Sequence, residues 1–297
     1  MSDNIDVLNE NTLINQPILL GEVDKIMVKE SIARRVSEVQ PLRGPVGIIQ
    51  GSRYDKVNDK LIIETQQIDA VTKQSRSEFS LETIQDMKSL YGKDFYKVMA
   101  RYLADDIIYQ IDTDFISMVK ANSSLFSSLV FDVSYDTLIS SVGTSISIAV
   151  NKGLSDMAFS DHRSSGAWAI VSSDIASLLA GSLSKDSSLD DNSPSYLGNI
   201  AGVEYYIDFT HNNSSVDNVI FGIKGNGISK GSTIFAPYNS LWYETVDSSS
   251  GENVGFLMIR QGQGVNPLDK EFFQAGLGTS AFLGRLNVDV SALKIFL

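Results

Sequence analysis

The sequence predicts an α+β protein, because a stretch with strong helical periodicity is followed by a series of short strand-like runs. Apolar residues recur at helical spacing between Ser80 and Gly153, and short apolar runs bounded by Asn, Ser, Asp and Gly occupy residues 203–209 and 219–223. The chain has 297 residues, of which 43% are hydrophobic and 20% are charged. It can therefore bury a substantial core, in one large domain or in two closely joined ones.

The first part of the chain is predicted to form an arm and a hairpin. Residues 1–28 are polar and lack sustained periodicity, which indicates an extended arm, and a short helix is expected over residues 25–39. Strand-like runs at residues 46–49 and 61–71 flank the polar stretch 51–60. This pattern predicts a long hairpin with a charged tip.

Three helices are predicted next. Ser80 is a suitable N-cap for a helix that stops at Gly92, and a longer helix is expected from Asp94 to Lys120. The predicted apolar stripe of the longer helix comprises Phe95, Val98, Met99, Tyr102, Ile108, Ile111, Phe115 and Met118. Its residues predicted to lie away from that stripe are Arg101, Asp105 and Asp112.

The third helix is predicted to begin after an N-cap at Ser134 and to end at Gly153, where glycine can adopt a left-handed conformation. The residues that it is expected to bury are Tyr135, Leu138, Ile139, Val142, Ile146 and Ala149.

The rest of the chain is predicted to be mostly strands. Residues 203–209, residues 219–223 and the segment Ile234-Phe235-Ala236-Pro237-Tyr238 are separated by turn signals such as Gly225-Asn226-Gly227, which are typical of an antiparallel β-meander. The other expected elements are a strand, a short helix, a solvent-facing loop and two further strands, at residues 168–171, 174–180, 185–195, 255–261 and 286–293.

Composition excludes several classes of protein. The absence of cysteine excludes disulfides and thiolate metal sites, and a net charge of -12, from 24 basic and 36 acidic residues, disfavours a nucleic-acid-binding surface. No apolar run reaches the roughly 18 to 20 residues that cross a bilayer, and the N-terminal MSDNIDVLNENT lacks the features of a secretion signal. A soluble, unexported protein is therefore expected.

One motif has the form of a hydrolase nucleophile. Gly227-Ile228-Ser229-Lys230-Gly231 fits the nucleophile elbow, but that motif requires a helix after the serine, and the residues from Thr233 onward favour a strand. The same region has the glycines of a phosphate-binding loop, with Ile228 where lysine is required. We expect Ser229 to lie in a hairpin turn.

The remaining titratable residues also favour non-catalytic roles. His162 and His211 lie in polar segments that are ordinary places for a solvated histidine. The adjacent pairs Asp105-Asp106 and Asp190-Asp191 diverge on a helix or lie in a loop, whereas paired-carboxylate chemistry requires convergence. No catalytic, cofactor-binding or metal site is predicted, and the protein is not expected to be an enzyme.

Four segments, in this order, carry a resemblance to a known family. They are Arg34-Arg35-Val36 with the following Val39-Gln40-Pro41-Leu42-Arg43-Gly44-Pro45-Val46-Gly47, Glu78-Phe79-Ser80-Leu81-Glu82-Thr83-Ile84-Gln85-Asp86-Met87, residues 166–179, and residues 196–243 with their Phe-Ala-Pro-Tyr sequence. These segments resemble the peripheral loop, the long-helix region, a strand-then-helix segment and the axial strands of the major capsid proteins of T-even-type (myovirus) tailed phages. Together they span about residues 30 to 267.

The resemblance implies the Hong-Kong-97-like phage capsid fold. Its parts are an N-terminal arm, an extended hairpin loop, a peripheral domain with a long spine helix, an axial domain of helices and β-meander, and C-terminal strands that return to the body, expected at residues 1–45, 46–77, 78–130, 131–267 and 268–297. The implied function is that of a major coat protein whose copies form hexamers and pentamers of an icosahedral shell around double-stranded DNA.

The resemblance also implies partners and a location. Besides further copies of the chain, the expected partners are a portal and scaffold, protease, decoration or vertex proteins. The enclosed DNA is expected to be held without specific binding, no membrane is involved, and the expected place is the virion capsid, assembled in the cytoplasm of a bacterial host.

Two sets of site residues follow from the resemblance. The hairpin tip is expected to contact an adjacent subunit through Arg53, Asp55, Lys56, Asp59 and Lys60. In the resembled family a prohead protease cuts after a Leu-x-Glu or Ile-x-Glu sequence, and Leu8-Asn9-Glu10 and Leu20-Gly21-Glu22 both match that pattern. Glu10 and Glu22 are therefore the two expected cleavage positions.

Three alternatives stay open at the level of sequence. An encapsulin-like bacterial nanocompartment would use the same fold without DNA. A monomer would carry the hairpin as an ordinary solvated loop. A hydrolase would depend on Ser229.

Overall fold

The computed structural model describes residues 20–55, 59–92, 94–130, 139–161, 166–184, 195–210, 217–225, 231–246, 252–268 and 283–289. Its helices are α1 (residues 20–30), α2 (Ile32–Val36), α3 (Leu81–Tyr91), α4 (Phe95–Asn122), α5 (Ile139–Asp161) and α6 (Ser173–Leu179). Its strands are β1 (Glu38–Val39), β2 (Val46–Asp55), β3 (Lys60–Asp69), β4 (Val71–Phe79), β5 (Ser124–Val130), β6 (Ala167–Val171), β7 (Tyr196–Ile200), β8 (Val203–Ile207), β9 (Asp217–Ile223), β10 (Thr233–Val246), β11 (Asn253–Val265) and β12 (Leu283–Asp289).

The strands form three sheets, and the α+β class is confirmed. A four-stranded sheet has the order β1-β10-β11-β4, and a six-stranded sheet has the order β5-β12-β9-β6-β8-β7. Strands β2 and β3 form a separate two-stranded ribbon. No helix within the described ranges is both long and apolar enough to cross a bilayer.

The predicted β-meander is wrong. Strands β8 and β9 do not pair with each other, because β6 lies between them, parallel to β8 and antiparallel to β9. The cause is the composition of β6, Ala-Trp-Ala-Ile-Val, which is apolar on both faces and buried along four of its five residues. A strand of this kind is stable only in the middle of a sheet that is covered on both sides.

Helix α4 is the layer that the two larger sheets share. One apolar core contains its inward residues together with Trp168 and Ile170 of the six-stranded sheet and Trp242 and Leu257 of the four-stranded sheet. A second core on the opposite face of the six-stranded sheet joins the neighbours of these β6 residues, such as Ala169, to α5 and α6. Successive side chains of β6 point to opposite faces of the sheet, so the strand contributes residues to both cores.

The predicted helix boundaries of α3 and α4 are confirmed. Ser80 accepts a hydrogen bond from the backbone N–H of Thr83, and Gly92 ends α3 with a φ of 61°. Asp94 accepts from the N–H of Tyr96 at the start of the 28-residue helix α4. These caps are local, which is why they could be predicted from neighbouring residues.

The predicted outward position of Asp112 is wrong. Asp112 is 1% exposed, and its carboxylate accepts hydrogen bonds from Ser31 Oγ at 2.8 Å and from the backbone N–H groups of Ile32 and Ala33 at 2.9 and 3.0 Å. Helix α4 thus satisfies buried N–H groups at the start of α2 that have no partner within that helix, although Asp112 and Ile32 are 80 positions apart in the chain. Burial raises the pKa of Asp112 to about 6, although the three hydrogen bonds favour its charged form.

Helix α2 connects the two larger sheets. The guanidinium of Arg34 lies over the ring of Phe235 at 5.5 Å, and that of Arg35 lies 4.9 and 5.6 Å from the rings of Tyr196 and Tyr206. The first ring belongs to the four-stranded sheet and the other two to the six-stranded sheet. The adjacent arginines therefore hold the sheets through cation–π contacts.

Helix α5 continues to Asp161, past the end predicted at Gly153. Gly153 is needed for packing, because a Cβ there would lie 2.5 Å from the ring of Phe221. The predicted N-cap Ser134 lies outside the described residues, as do Tyr135 and Leu138.

Each of the two larger sheets combines strands from distant parts of the chain. Strands β10 and β11, from the segment 131–267, belong to the sheet that contains β4, because they bury Trp242 and Leu257 in the core that α4 shares. Strand β5, from the segment 78–130, pairs with β12 in the six-stranded sheet. Strand β12, from the C-terminal region, lies between β5 and β9 in the six-stranded sheet.

The contact of Asp112 with α2 predicts a pH-dependent stability. Because the pKa is raised from 3.8 to about 6, the stabilisation that Asp112 supplies is fully present below pH 4 and is lost as the pH rises through about 6. We expect Asp112→Asn to be less stable than the wild type, with a difference in unfolding free energy that shrinks by about 2–3 kcal/mol between pH 4 and pH 7. Urea unfolding of unassembled protein at several pH values measures this difference, and a constant or growing difference would contradict it.

Glycines in two helices predict opposite effects of alanine. A Cβ at Gly143 in α5 would lie 2.4 Å from the backbone oxygen of Leu178, whereas a Cβ at Gly21 in α1 would meet nothing within 4 Å. Gly143→Ala should therefore destabilise the protein by about 1–3 kcal/mol, although alanine is the better helix former. Gly21→Ala is the matched control and should stabilise it by up to about 1 kcal/mol. Thermal unfolding decides, and two variants of equal stability would be inconsistent with the close packing of α5 on α6.

Candidate assembly surfaces

The β2–β3 ribbon is the largest strand element outside the two larger sheets, among the residues that the structure describes. Ten residue pairs run from Val46↔Asp69 at the base to Asp55↔Lys60 at the tip. At about 3.3 Å per residue the ribbon is roughly 33 Å long. The hairpin was predicted, but β2 is longer than expected, because the polar residues 51–55 continue it. Strand β3 ends at Asp69, two residues before the predicted end at residue 71.

The base of the ribbon is fixed to the body. Ile49 and Ile68 are buried in a small core with Leu42, Ile234 and Ala236. The side-chain amide of Gln40 donates to the carbonyl of Gln50 and accepts from its N–H, both at 3.0 Å. The ribbon therefore leaves the body at a defined place and in a defined direction.

One face of the ribbon exposes four apolar side chains. Val46, Ile48, Leu61 and Ile63 are 53%, 65%, 56% and 54% exposed. The pairing register places all four on the same face, since Ile48 lies opposite Gln67, four residues beyond Ile63. Nothing in the described part of the chain covers this face, which we call the apolar ribbon face.

The structure brings the predicted tip residues together. Arg53 and Asp55 lie at the end of β2, Lys60 begins β3 opposite Asp55, and Asp59 adopts a φ of 52° in the turn. Lys56 lies outside the described residues. The described part of the tip thus places two basic and two acidic residues at the far end of the ribbon.

The two predicted cleavage positions have different surroundings. Glu22 lies in α1 and forms an ion pair with Lys25 at 3.3 Å. The next residue, Val23, is 1% exposed, and Met27 one turn later is 3% exposed. Glu10 lies outside the described residues.

The spine helix exposes a residue that was predicted to be buried. Tyr102 was assigned to the apolar stripe of α4, but its side chain is 71% exposed, and Tyr109 on the same side is 57% exposed. The stripe actually turns toward Leu103 and Ile107, which are 4% and 0% exposed. Tyr102 lies on a helix face next to the face of Leu103 and Ile107. Helical periodicity alone therefore could not show which of these two faces is buried.

The apolar ribbon face was also not identified from the sequence. The alternation in Lys60–Asp69 was available as a signal, since Leu61 and Ile63 share a parity that the buried Ile68 does not. This alternation predicts that the face with Leu61 and Ile63 stays uncovered when the face with Ile68 packs on the body.

The structure does not place most of the other candidate residues. Ser229, His162, His211 and Asp190-Asp191 lie outside the described residues. After Gly231 the chain enters β10, so a strand follows the serine motif, as predicted.

The described carboxylates have structural contacts. Asp105 pairs with Arg101 at 3.2 Å, and Asp106 accepts from Gln110 at 3.1 Å. In the described ranges no group of three or more acidic or histidine side chains converges as metal ligands do.

Comparison with known proteins identifies the family. A family model described as "Major capsid protein Gp23" matches residues 56–288. No curated protein matches the chain.

Solved structures agree on the fold. The chain is similar to a virus-like particle from Pyrococcus furiosus, with a TM-score of 0.57 and 9% identity over 91% of this chain and 96% of that one. A protein of Microbacterium phage Oxtober96 gives a TM-score of 0.55 with 9% identity over 88% and 91% of the two chains. The capsid of Ralstonia phage GP4 gives 0.51 with 9% identity over 87% and 91%. The predicted Hong-Kong-97-like capsid fold is confirmed.

The family match also decides between the two shell proteins that the sequence left open. An encapsulin-like compartment is not favoured, because the matching model describes major capsid proteins. The family model matches most of the chain, and the capsid proteins that it describes agree with the fold found here. The chain therefore belongs to the Gp23 family of major capsid proteins and is a structural component of a capsid.

Proposed function

We propose that the protein is the major coat protein of a T-even-type tailed phage, and that its copies form the hexamers and pentamers of an icosahedral shell around double-stranded DNA. The order of the four sequence segments that resemble T-even coat proteins supports the type of phage. The shell would be part of the virion and would be assembled in the cytoplasm of the bacterial host.

The apolar ribbon face is the observation that carries this proposal. A two-stranded ribbon is marginal in water by itself, and this one exposes four large apolar side chains in a single chain. Burying each against a neighbour would contribute roughly 1–2 kcal/mol. If every copy extends its ribbon onto the next copy and accepts the ribbon of the previous one, the contacts are head-to-tail and close into a ring.

The charged tip fits the same role. Arg53, Asp55, Lys56, Asp59 and Lys60 would lie against an adjacent subunit at the far end of the ribbon. Mixed charges at such a place fix the register of a contact more than they increase its affinity. The strength of the shell would then come from several modest contacts per subunit acting together.

The acidic composition supports enclosure of DNA without specific binding. With a net charge of -12, the protein repels phosphate at long range. The further partners that we propose are a portal, a scaffold, a protease and decoration or vertex proteins, each by resemblance to the family.

The observed sheets suggest a division into the domains of the resembled fold. The peripheral domain would consist of α4 with the four-stranded sheet, and the axial domain of the six-stranded sheet with α5 and α6. The ribbon and the segment that precedes β1 would be the extended loop and the arm.

The ribbon predicts an assembly-defective variant. Ile48→Asn with Ile63→Asn should remove the apolar contact without changing the body, since both side chains are more than half exposed. We expect the variant to stay monomeric under conditions in which the wild type forms shells, with an unchanged circular dichroism spectrum. Sedimentation velocity and electron microscopy measure this.

A matched control is available on α3. Leu90→Asn alters a side chain that is 71% exposed but lies away from the ribbon, and it should assemble normally. Normal shells from the ribbon variant, or a wild type that stays monomeric, would refute the proposed function.

The surroundings of Glu22 favour processing at Glu10. A protease binds its substrate in extended form, and cleavage after Glu22 would require α1 to unwind and Val23 and Met27 to leave the core. We therefore propose cleavage after Glu10, so that chains from mature particles begin at Asn11. Intact-mass spectrometry checks this. Chains that begin at Met1 or at Val23 would show it to be wrong.

A further inference from the structure

A polar cavity of about 220 Å³ lies between α4 and the edge of the four-stranded sheet. Its walls come from Asp69 at the end of β3, from β4 and β11, and from the C-terminal half of α4. This space is several times the roughly 30 Å³ that one water molecule occupies in the liquid. The cavity is therefore large enough for a small organic molecule.

A buried amide in the wall of this cavity has no partner. Gln261 is 3% exposed, and its Oε1 is buried and accepts no hydrogen bond from the described residues. Its side chain is on the same face of β11 as that of Gln263, which donates to the carbonyl of Ile111 in α4 at 3.1 Å. A buried amide oxygen without a donor is unfavourable. The group that this cavity lacks is therefore a hydrogen-bond donor.

The charges around the cavity favour a cationic donor. Lys73 and Asp114 form an ion pair at 2.5 Å, so their charges cancel. Asp69 adds a second carboxylate, with which no side chain in the described ranges forms an ion pair. Two aspartates and one lysine give the lining a net charge of -1, which one protonated amine balances.

A divalent metal ion fits this lining less well than an amine does. The ammonium group of Lys73 would repel the ion, and its ion pair already occupies Asp114. Within the described ranges, no three acidic or histidine side chains converge on one point, whereas calcium and magnesium sites use several oxygen ligands.

The apolar part of the wall suits the carbon chain of an amine. Val71 lines the cavity next to Gln261, its partner in the strand pairing, and is 54% exposed. Met118 of α4 lies on the opposite wall. Methylene groups would cover this apolar surface, which an inorganic cation would leave in contact with water.

We propose that the cavity between α4 and the β4–β11 edge binds a small aliphatic amine. Its protonated amino group donates to Gln261 Oε1 and to the carboxylate of Asp69, and its carbon chain lies against Val71. The amine joins the base of the ribbon to the sheet, because Asp69 forms the first pair of the ribbon with Val46. The site lies within one chain, so this inference goes beyond the proposed function and does not depend on it.

Isothermal titration calorimetry of the unassembled chain with butylamine at neutral pH tests the site. We expect saturable binding of one molecule per chain, with a Kd of a few millimolar or tighter. The control ligand is tetramethylammonium, an isomer of the butylammonium ion that has the same charge but no N–H donor. It should bind on the order of tenfold more weakly. No saturable binding of butylamine, or equal binding of the two ions, would overturn the proposal.

Two variants test the residues that hold the amino group. Gln261→Met and Asp69→Asn should each weaken the binding of butylamine on the order of tenfold. Without amine, Gln261→Met should unfold at the same temperature as the wild type or at a higher one, because it removes a buried oxygen that has no donor. Asp86→Asn in α3 makes the same change of charge outside the cavity and should bind as the wild type does.

Wild-type affinity in both cavity variants would overturn the site. The amino group could also come from a lysine of a neighbouring copy, and a comparison with assembled particles separates the two sources. A free amine should bind to particles as it binds to the unassembled chain. Binding that is lost in particles would assign the cavity to such a lysine and overturn the small amine as its ligand. None of these results bears on whether the chain forms a shell.

Discussion

A sheet needs a second layer on each apolar face, and within the described residues the apolar ribbon face has none. The two larger sheets meet this requirement within the chain, because α4 covers one face of both and α5 and α6 cover the other face of the six-stranded sheet. The ribbon projects beyond these layers with Val46, Ile48, Leu61 and Ile63 uncovered. In the described part of the chain, the larger sheets are therefore covered by the chain's own helices and the apolar ribbon face is not, which is the physical basis of an assembling subunit.

The ribbon can serve this purpose only if its direction is fixed, and a polar junction at its base fixes it. Glu38 accepts from the N–H of Gly231 at 2.9 Å, and Asn266 donates to the carbonyl of the same glycine at 2.8 Å. A Cβ at Gly51 of β2 would lie 2.1 Å from Asn266 Oδ1, so only glycine allows the ribbon to pass this point. The N-terminal segment, the end of the β10–β11 pair at Thr233 and Val265, and the ribbon thus meet at one place, where buried polar groups set their relative positions.

Sequence reasoning succeeded where the determinants are local. The caps at Ser80 and Gly92, the start of α4 near Asp94, the hairpin and the strand β6 depend on residues near each other in the chain. Four ordered segments also sufficed for the family. Sequence reasoning failed where a distant residue decides whether a side chain is buried. The burial of Asp112 is set by backbone donors some 80 residues earlier in the chain.

The same distinction accounts for the strand order and for the exposed surfaces. A turn signal says that the chain reverses but not which strand enters the gap, so the insertion of β6 between β8 and β9 could not be read from it. In the sequence, Tyr102 cannot be distinguished from a tyrosine of the core. Its exposure follows from the rotation of α4 about its axis relative to the two sheets. The assembly surfaces were the hardest part to predict, because the sequence pattern of an apolar residue at a subunit interface is the same as that of an apolar residue in the core.

The most direct measurement of the central claim is a cryo-electron microscopy map of the assembled particle at side-chain resolution. Our account requires that density from an adjacent subunit lies against Ile48 and Ile63, and that the ribbon keeps its ten-residue pairing. A map in which these side chains face solvent, or fold back onto their own subunit, would contradict it.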